Sequence, residues 1–150
     1  MLAVIQLVNQ SSVKINGDNS TIRKIGRGLT VFLGVSINDT ESDVEKLVNK
    51  LTKLRIFPDK EEKMNLSISD IAGEILLISQ FTLLGDLKGN NRPDFSKAAG
   101  KELALKLYEL TGQKIKELGI KIQTGYFGEH MIISQELDGP VTINLDTNNL

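Results

Sequence analysis

Between Gly73 and Gly85 the chain runs GEILLISQFTL, a short, unbroken apolar stretch with β-branched residues, bracketed by glycines. That length and composition predict a buried strand rather than a helix, because a strand covered on both faces reads as a continuous apolar run. Two amphipathic segments are available to cover the sheet it belongs to. Thr40 and Asp43 make a capping-box-like start, after which Val44, Leu47, Val48, Leu51 and Leu54 fall at helical spacing until Pro58 ends the pattern. Residues 98–118 carry Ala104, Leu107, Tyr108, Thr111, Ile115 and Leu118 on one face, which predicts a second long helix despite Gly112.

Both ends of the chain read as strands. Residues 2–8 and 12–16 are β-rich, Asn16-Gly17 is a turn signal, and STIRKI and LTVFLGV supply two more strands around Gly26 and Gly28. The last third holds IKIQTG, HMIIS and GPVTINL, separated by Gly125, Gly128 and the Gly139-Pro140 pair. The expected order is four strands, helix, strand, helix, three strands. Strands at both ends and two helices between them predict a single α+β domain over 1–150 with a mixed sheet covered by the helices.

Charge and composition narrow the function. The 18 Lys and Arg stand against 19 Asp and Glu, a formal net charge of −1. A protein that grips long nucleic acid by its backbone needs a basic excess, so any polyanion contact is expected to be local, and DNA is not an expected partner. The chain has no cysteine, which removes disulfides, thiolate nucleophiles and cysteine metal sites and fits a reducing compartment, the cytoplasm. The N-terminal MLAVIQLVNQSSVKING lacks a basic leader and a cleavage site, and no stretch approaches 18 apolar residues, so neither export nor a membrane is expected.

Few residues offer chemistry. Ser79 and Thr82 are hydroxyls at the end of the buried strand, and His130 is the single histidine. A Ser79-His130-Asp triad is possible in principle, but a serine nucleophile needs an oriented base and the G-x-S-x-G elbow is missing. With no H-E-x-x-H and no second histidine, no metal is expected. GRGLTVFLG and KGNNRP lack the spacing that cradles phosphates, so no nucleotide cofactor is expected either. The loop Lys88, Gly89, Asn90, Asn91, Arg92, Pro93 is polar and basic beside Ser79-Gln80; it reads either as a solvated loop or as a holder of a few phosphates. Gly139-Pro140, at the mouth of the strand Val141, Ile143, Leu145, reads on its own as a turn.

Taken together, AVIQLV near the start, SQFTL at Ser79–Leu83, KGNNRPDFSKAA, TGYFGEHM and DGPVTI resemble the bacterial D-aminoacyl-tRNA deacylase family, over essentially the full chain. The resemblance implies a barrel-like, largely antiparallel core and a cytoplasmic homodimer without metal or cofactor. It implies hydrolysis of the ester joining a D-amino acid, or glycine, to the 3′ end of tRNA. It places Ser79, Gln80, Phe81 and Thr82 around the reaction, with Gln80 and backbone N–H groups near Phe81 and Thr82 facing the oxyanion and the ribose 2′-hydroxyl helping to activate water. Gly139 and Pro140, joined by a cis peptide, would enter the partner subunit's site and exclude L side chains by their carbonyls. Gln6, Lys88, Arg92 and Met131 are the expected substrate and RNA contacts, with Lys97 a further phosphate contact.

One departure stands out. Many members of that family carry Arg after the first-strand Gln, where this chain has Leu7, and Asn two residues before the Gly-Pro pair, where it has Leu137. That leaves open whether Gln6 or Gln10 holds the Gly-Pro motif instead, or whether the filter is looser. Two other functions remain: a non-catalytic dimer that binds tRNA ends, and a generic serine esterase on Ser79 and His130.

Overall fold

Strand β1 runs unbroken over Leu2–Ile15 in the computed structural model, which describes residues 1–89 and 91–150. Its first half alternates: Ala3, Ile5 and Leu7 are buried while Leu2, Val4 and Gln6 are only partly covered. The two strands expected at 2–8 and 12–16 are therefore one. The polar NQSS between them is a bulge rather than a turn, because Val8 pairs with Leu137 and Gln10 with Glu136, which leaves Asn9 as an extra residue.

From there the chain forms a 3-10 turn at Asn19–Thr21, β2 at Arg23–Ile25 and β3 at Gly28–Gly34. STIRKI is thus a strand only in its last three residues. Helix α1 spans Glu41–Lys53, and its start is the expected capping box, with the Thr40 amide donating to the Asp43 carboxylate at 2.9 Å. Its buried stripe is Val44, Leu47, Val48 and Leu51; burying each such side chain stabilises the fold by roughly 1.5–3 kcal/mol. A small hairpin, β4 at Phe57–Pro58 and β5 at Met64–Leu66, follows. Sequence reasoning did not find it, since strands this short carry no measurable periodicity.

The apolar run is β6, Glu74–Ser79, with Ile75 to Ile78 wholly buried. It stops at Ser79: Phe81–Leu84 is a 3-10 turn, not the continuation of a strand. The turn folds back over β3, and a side chain at Gly34 would bring its Cβ within 3.0 Å of the Gln80 carbonyl and 3.3 Å of Leu83. Helix α2, Lys101–Glu117, buries Leu107, Tyr108, Thr111, Gly112 and Ile115. Leu118, expected on that face, falls after the last helical residue and is exposed. β7 is Lys121–Thr124 and β8 is Met131–Asp146.

The main sheet runs in the order β2-β1-β3-β6-β7, with β8 also on β1. The three ladders made by β1 are antiparallel, while β3-β6 and β6-β7 are parallel. The α+β class with a mixed sheet and two covering helices is the architecture expected. One apolar core, with Ile5, Leu29, Val31, Ile75 and Leu77, lies between the sheet and the helices. A second, with Val8, Val13, Ile25, Leu76 and Ile78, fills the inside of the curled sheet. Arg23 closes the curl from β2, donating to the carbonyls of Thr124 at 2.7 Å and Gly125 at 3.3 Å while its guanidinium lies over the Tyr126 ring.

HMIIS and GPVTINL are likewise not separate strands. β8 pairs with β1 on both sides of Gly139-Pro140, but between the pairs Val8–Leu137 and Gln6–Thr142 the four residues Asp138 to Val141 stand against the single Leu7. The Gly-Pro pair therefore sits on an excursion in mid-strand rather than on a turn at a strand mouth. The Gly139-Pro140 peptide is cis, and Gly139 has φ +114°. A Cβ at Gly139 would stand 2.8 Å from the Val141 amide nitrogen, so this position takes glycine for both conformation and space.

Candidate active site

The parallel β3-β6 ladder ends at the pair Leu33–Ser79, and the next amide, Gln80, still donates to the Leu33 carbonyl at 2.8 Å. That bond anchors the start of the 3-10 turn. Phe81 and Thr82, at the first two positions of the turn, have no acceptor within it for their N–H groups, and the Gln80 side chain does not cap them. Among the described residues these two backbone donors have no partner, at the end of a buried strand. The Gln80 side-chain Nε2 donates to the Thr82 hydroxyl, which ties the two side chains together.

A cleft of about 520 Å³ opens beside this turn. Ser79, Gln80 and Phe81 form one wall; Phe127, Met131 and Ile133 form another; Ala99 before α2 and Lys101 and Ala104 in its first turn close it. Phe81 is 55% exposed and meets Phe95 edge-on with ring centroids 5.1 Å apart. The opposite wall is set by the Met131 sulfur, which accepts from the Tyr126 amide at 3.2 Å. Gly125 keeps that region narrow, since a Cβ there would lie 2.9 Å from both Met131 Sδ and Ile78 Cδ1. Flat aromatic and thioether surfaces beside a turn with two backbone donors suit a ligand with a planar ring and a carbonyl.

The expected residues separate into groups. Ser79, Gln80, Phe81 and Met131 meet at this cleft, with Thr82 bonded to Gln80 beside it. Gly139 and Pro140 do not line it; they are exposed on the β8 excursion. Gln6 is also away from the cleft, engaged with Gln135 at 2.6 Å and Thr142 at 3.4 Å. Lys88 and Arg92 are exposed on the 86–94 loop and line no wall; Asn90 of that loop lies outside the described residues. Asp86 and Asp94 close the loop by exchanging backbone hydrogen bonds of 2.8 and 2.9 Å. Lys97 is paired with Asp86 at 2.7 Å, and that hydrogen bond holds the Asp86 carboxyl below its ordinary value and raises the Lys97 ammonium.

Ser79 and His130 do share the cleft. Among the described residues, however, neither side chain hydrogen-bonds the other and no carboxylate orients the His130 ring, so the elements of a triad are not assembled. His130 is exposed, and its backbone carbonyl accepts from Asn16 at 2.8 Å. Among the described residues no group of three or more His, Cys, Asp or Glu stands where it could hold a metal ion, and no helix is long and apolar enough to cross a membrane.

Sequence reasoning missed Phe127, Ile133, Ala99, Lys101 and Ala104 as wall residues. Phe127 sits in the TGYFGEHM stretch beside Met131 and Ala99 ends the KGNNRPDFSKAA stretch, so their motifs were visible; Lys101 and Ala104 of α2 carried no signal, since their place at the cleft depends on how the helix docks.

The family model described as D-Tyr-tRNA(Tyr) deacylase matches residues 4–146. The chain is 54% identical to the D-aminoacyl-tRNA deacylase of Thermosipho melanesiensis over 98% of this chain and 97% of that one. It is 50% identical to that of Natranaerobius thermophilus, over 99% and 98%. Among solved structures it is similar to a c-Myc DNA Unwinding Element Binding Protein, at TM-score 0.89 and 40% identity over 97% and 98% of the two chains. It shares the fold of a probable eukaryotic D-amino acid tRNA deacylase, at TM-score 0.82 and 18% identity over 96% and 98%. The family match over residues 4–146 and the relatives at 50–54% identity over nearly the whole chain show that this chain belongs to the D-Tyr-tRNA(Tyr) deacylase family.

Proposed function

We propose that the protein hydrolyses the ester of D-aminoacyl-tRNA, and of glycyl-tRNA, in the cytoplasm, releasing the amino acid and free tRNA. The observation that carries this reading is the pair of N–H groups at Phe81 and Thr82, without a partner among the described residues, beside an aromatic cleft at the end of β6. An ester carbonyl placed over them would have its developing oxyanion met by fixed donors, a contribution that costs a hundredfold or more in rate when one donor is lost, on the order of 10²–10³. The terminal adenine would lie against Phe81, Phe127 and Met131, and the 2′-hydroxyl of the same ribose would help water attack. No base is needed from the protein beyond this, because positioning alone contributes several orders of magnitude.

Selectivity is assigned to Gly139 and Pro140. They are exposed and absent from the cleft of their own chain, so the reading requires a second copy to present them, in a homodimer with each excursion entering the neighbour's cleft. Backbone carbonyls there would accept from the substrate α-amino group whatever the side chain, and would leave an L side chain no room. Glycine, having none, escapes exclusion. The near-zero charge is consistent with a protein that captures only the aminoacylated end, with Lys88 and Arg92 reaching a few phosphates. It offers no basic excess for gripping a DNA duplex, the activity named for one of its structural relatives.

The test is paired deacylation of D-Tyr-tRNA and L-Tyr-tRNA by the purified protein with a chelator present. Rapid loss of the D-ester alone is expected. Loss of both would mean an esterase without chiral selection, and binding without turnover would mean a tRNA-end-binding protein.

A further inference from the structure

Backbone pairing holds β8 to β1 everywhere except between Leu137 and Thr142, where four residues face one. Within that interval the excursion has no ladder partner of its own, so side chains must decide how firmly it is held. Leu7, directly opposite, is an apolar side chain turned into the core and offers no polar group. On the incoming stem, Glu136 accepts from Asn9 at 3.1 Å and Gln10 at 3.0 Å, and these bonds hold its carboxyl below the ordinary range. Both are exposed to water, and both grip one stem only.

Gln6 reaches both stems. Its Oε1 accepts from Gln135 Nε2 at 2.6 Å before the excursion, and its Nε2 donates to Thr142 Oγ1 at 3.4 Å after it. Gln135 Oε1 is buried and has no partner among the described residues, so the bond to Gln6 is the polar contact that its side-chain amide makes. Removing Gln6 would leave a largely enclosed amide unpaired, and the cheapest relief is for the incoming stem to shift until water reaches it.

We infer that Gln6 is the positioning residue of the Gly139-Pro140 excursion, acting as a side-chain bridge that fixes the separation of its two stems and hence the aim of its carbonyls. This rests on the proposed reading of the excursion as the element that rejects L substrates. Gln6 lines no part of the cleft of its own chain, so the role assigned to it is one of positioning. Its effect is chiefly on discrimination: a looser excursion admits an L side chain, while a D substrate, whose α-amino group meets the same carbonyls, slows by less than the L reaction gains.

The test is single-turnover deacylation of D-Tyr-tRNA and L-Tyr-tRNA by the full-length Gln6→Ala protein. The ratio of the D rate to the L rate is expected to fall about tenfold, the scale of one lost hydrogen bond, mainly through a faster L reaction. Gln6→Glu, which keeps an acceptor for Gln135 and for the Thr142 hydroxyl, is expected to restore most of the ratio. A merely structural Gln6 would lower both rates in proportion and leave the ratio unchanged, and that result overturns the inference. If Gln6→Ala does not fold, Thr142→Val decides: it cuts the outgoing arm at an exposed position, and an unchanged ratio there overturns the inference as well. The wild type separates the two levels of argument. Failure of the wild type to prefer the D-ester sinks the proposed function, whereas a selective wild type with an equally selective Gln6→Ala sinks the bridge alone.

Discussion

The hydroxyl of Tyr108 in α2 donates to the carbonyl of Leu77 in β6 at 2.8 Å, two residues before Ser79. The same carbonyl accepts from the Gly125 amide at 2.8 Å, so the helix, the strand beneath the cleft and the start of its opposite wall meet at one oxygen. Burial of Tyr108 pushes its hydroxyl up to about 12, because the anion would lose its hydration. Since the folded value lies above the unfolded value near 10, the stabilisation is complete below about pH 10 and is lost as pH rises through about 12. Tyr108→Phe is therefore expected to lower stability at pH 7 by about 1 kcal/mol, with Leu77 still satisfied by Gly125. It should also flatten the alkaline limb of the stability curve by about 1.4 kcal/mol per pH unit between those values. Urea unfolding of both proteins from pH 7 to 12 checks this, and parallel curves would show that Tyr108 is not the alkaline trigger.

Gly139→Ala is expected to reduce deacylation of D-Tyr-tRNA by at least about tenfold. The reason is local: φ of +114° and a Cβ 2.7 Å from Val141 Cγ2 force the excursion to move. Residues held in such regions cost about 1–3 kcal/mol. Rates measured beside a circular dichroism melt separate a displaced excursion from an unfolded protein. Activity within twofold of wild type would remove Gly139 from the site.

Gln80→Ala and Thr82→Ala are expected to differ. Gln80 aims its amide at the Thr82 hydroxyl beside the free donors, and its loss should slow the reaction by about a hundredfold if it shares in holding the oxyanion. Thr82→Ala should cost less than about tenfold, because no base stands ready to make Thr82 a nucleophile. Mass spectrometry of quenched reactions gives the independent check: an acyl group on Thr82 would overturn this assignment.

A tRNA ending in 2′-deoxyadenosine is expected to bind with a KM near that of the natural substrate yet react at least about a hundredfold more slowly, the scale of general base assistance. Equal rates on the two tRNAs would return the search for a base to the protein, with His130 first because it lines the same cleft as Ser79.

Much of the architecture was legible because it depends on near neighbours. The stripe Val44, Leu47, Val48 and Leu51, the Thr40-Asp43 cap and the apolar run of β6 each report a local period or a local hydrogen bond. The clustering of Ser79, Gln80, Phe81 and Met131 was legible through their motifs, though not through any period. The errors have a common cause. The polar residues 9–11 break the β-rich pattern and Gly-Pro looks like a turn, since such a pair usually makes one, yet here both are irregularities within long strands that pair with each other. SQFTL looks like more strand because its residues are apolar, and only the close approach of Gly34 and the bond from Gln80 to Leu33 show where the strand must stop.

The two helices, the apolar strand β6 and their core faces follow from the chain alone, since periodicity and apolar runs are written along it. Tertiary structure alone decided what faces what. Gln6 meets Gln135 across 129 positions because one bulge at Asn9 and one excursion at Asp138–Val141 set the register of β1 on β8. Register is a property of the pair, and a single inserted residue changes which side chains come together.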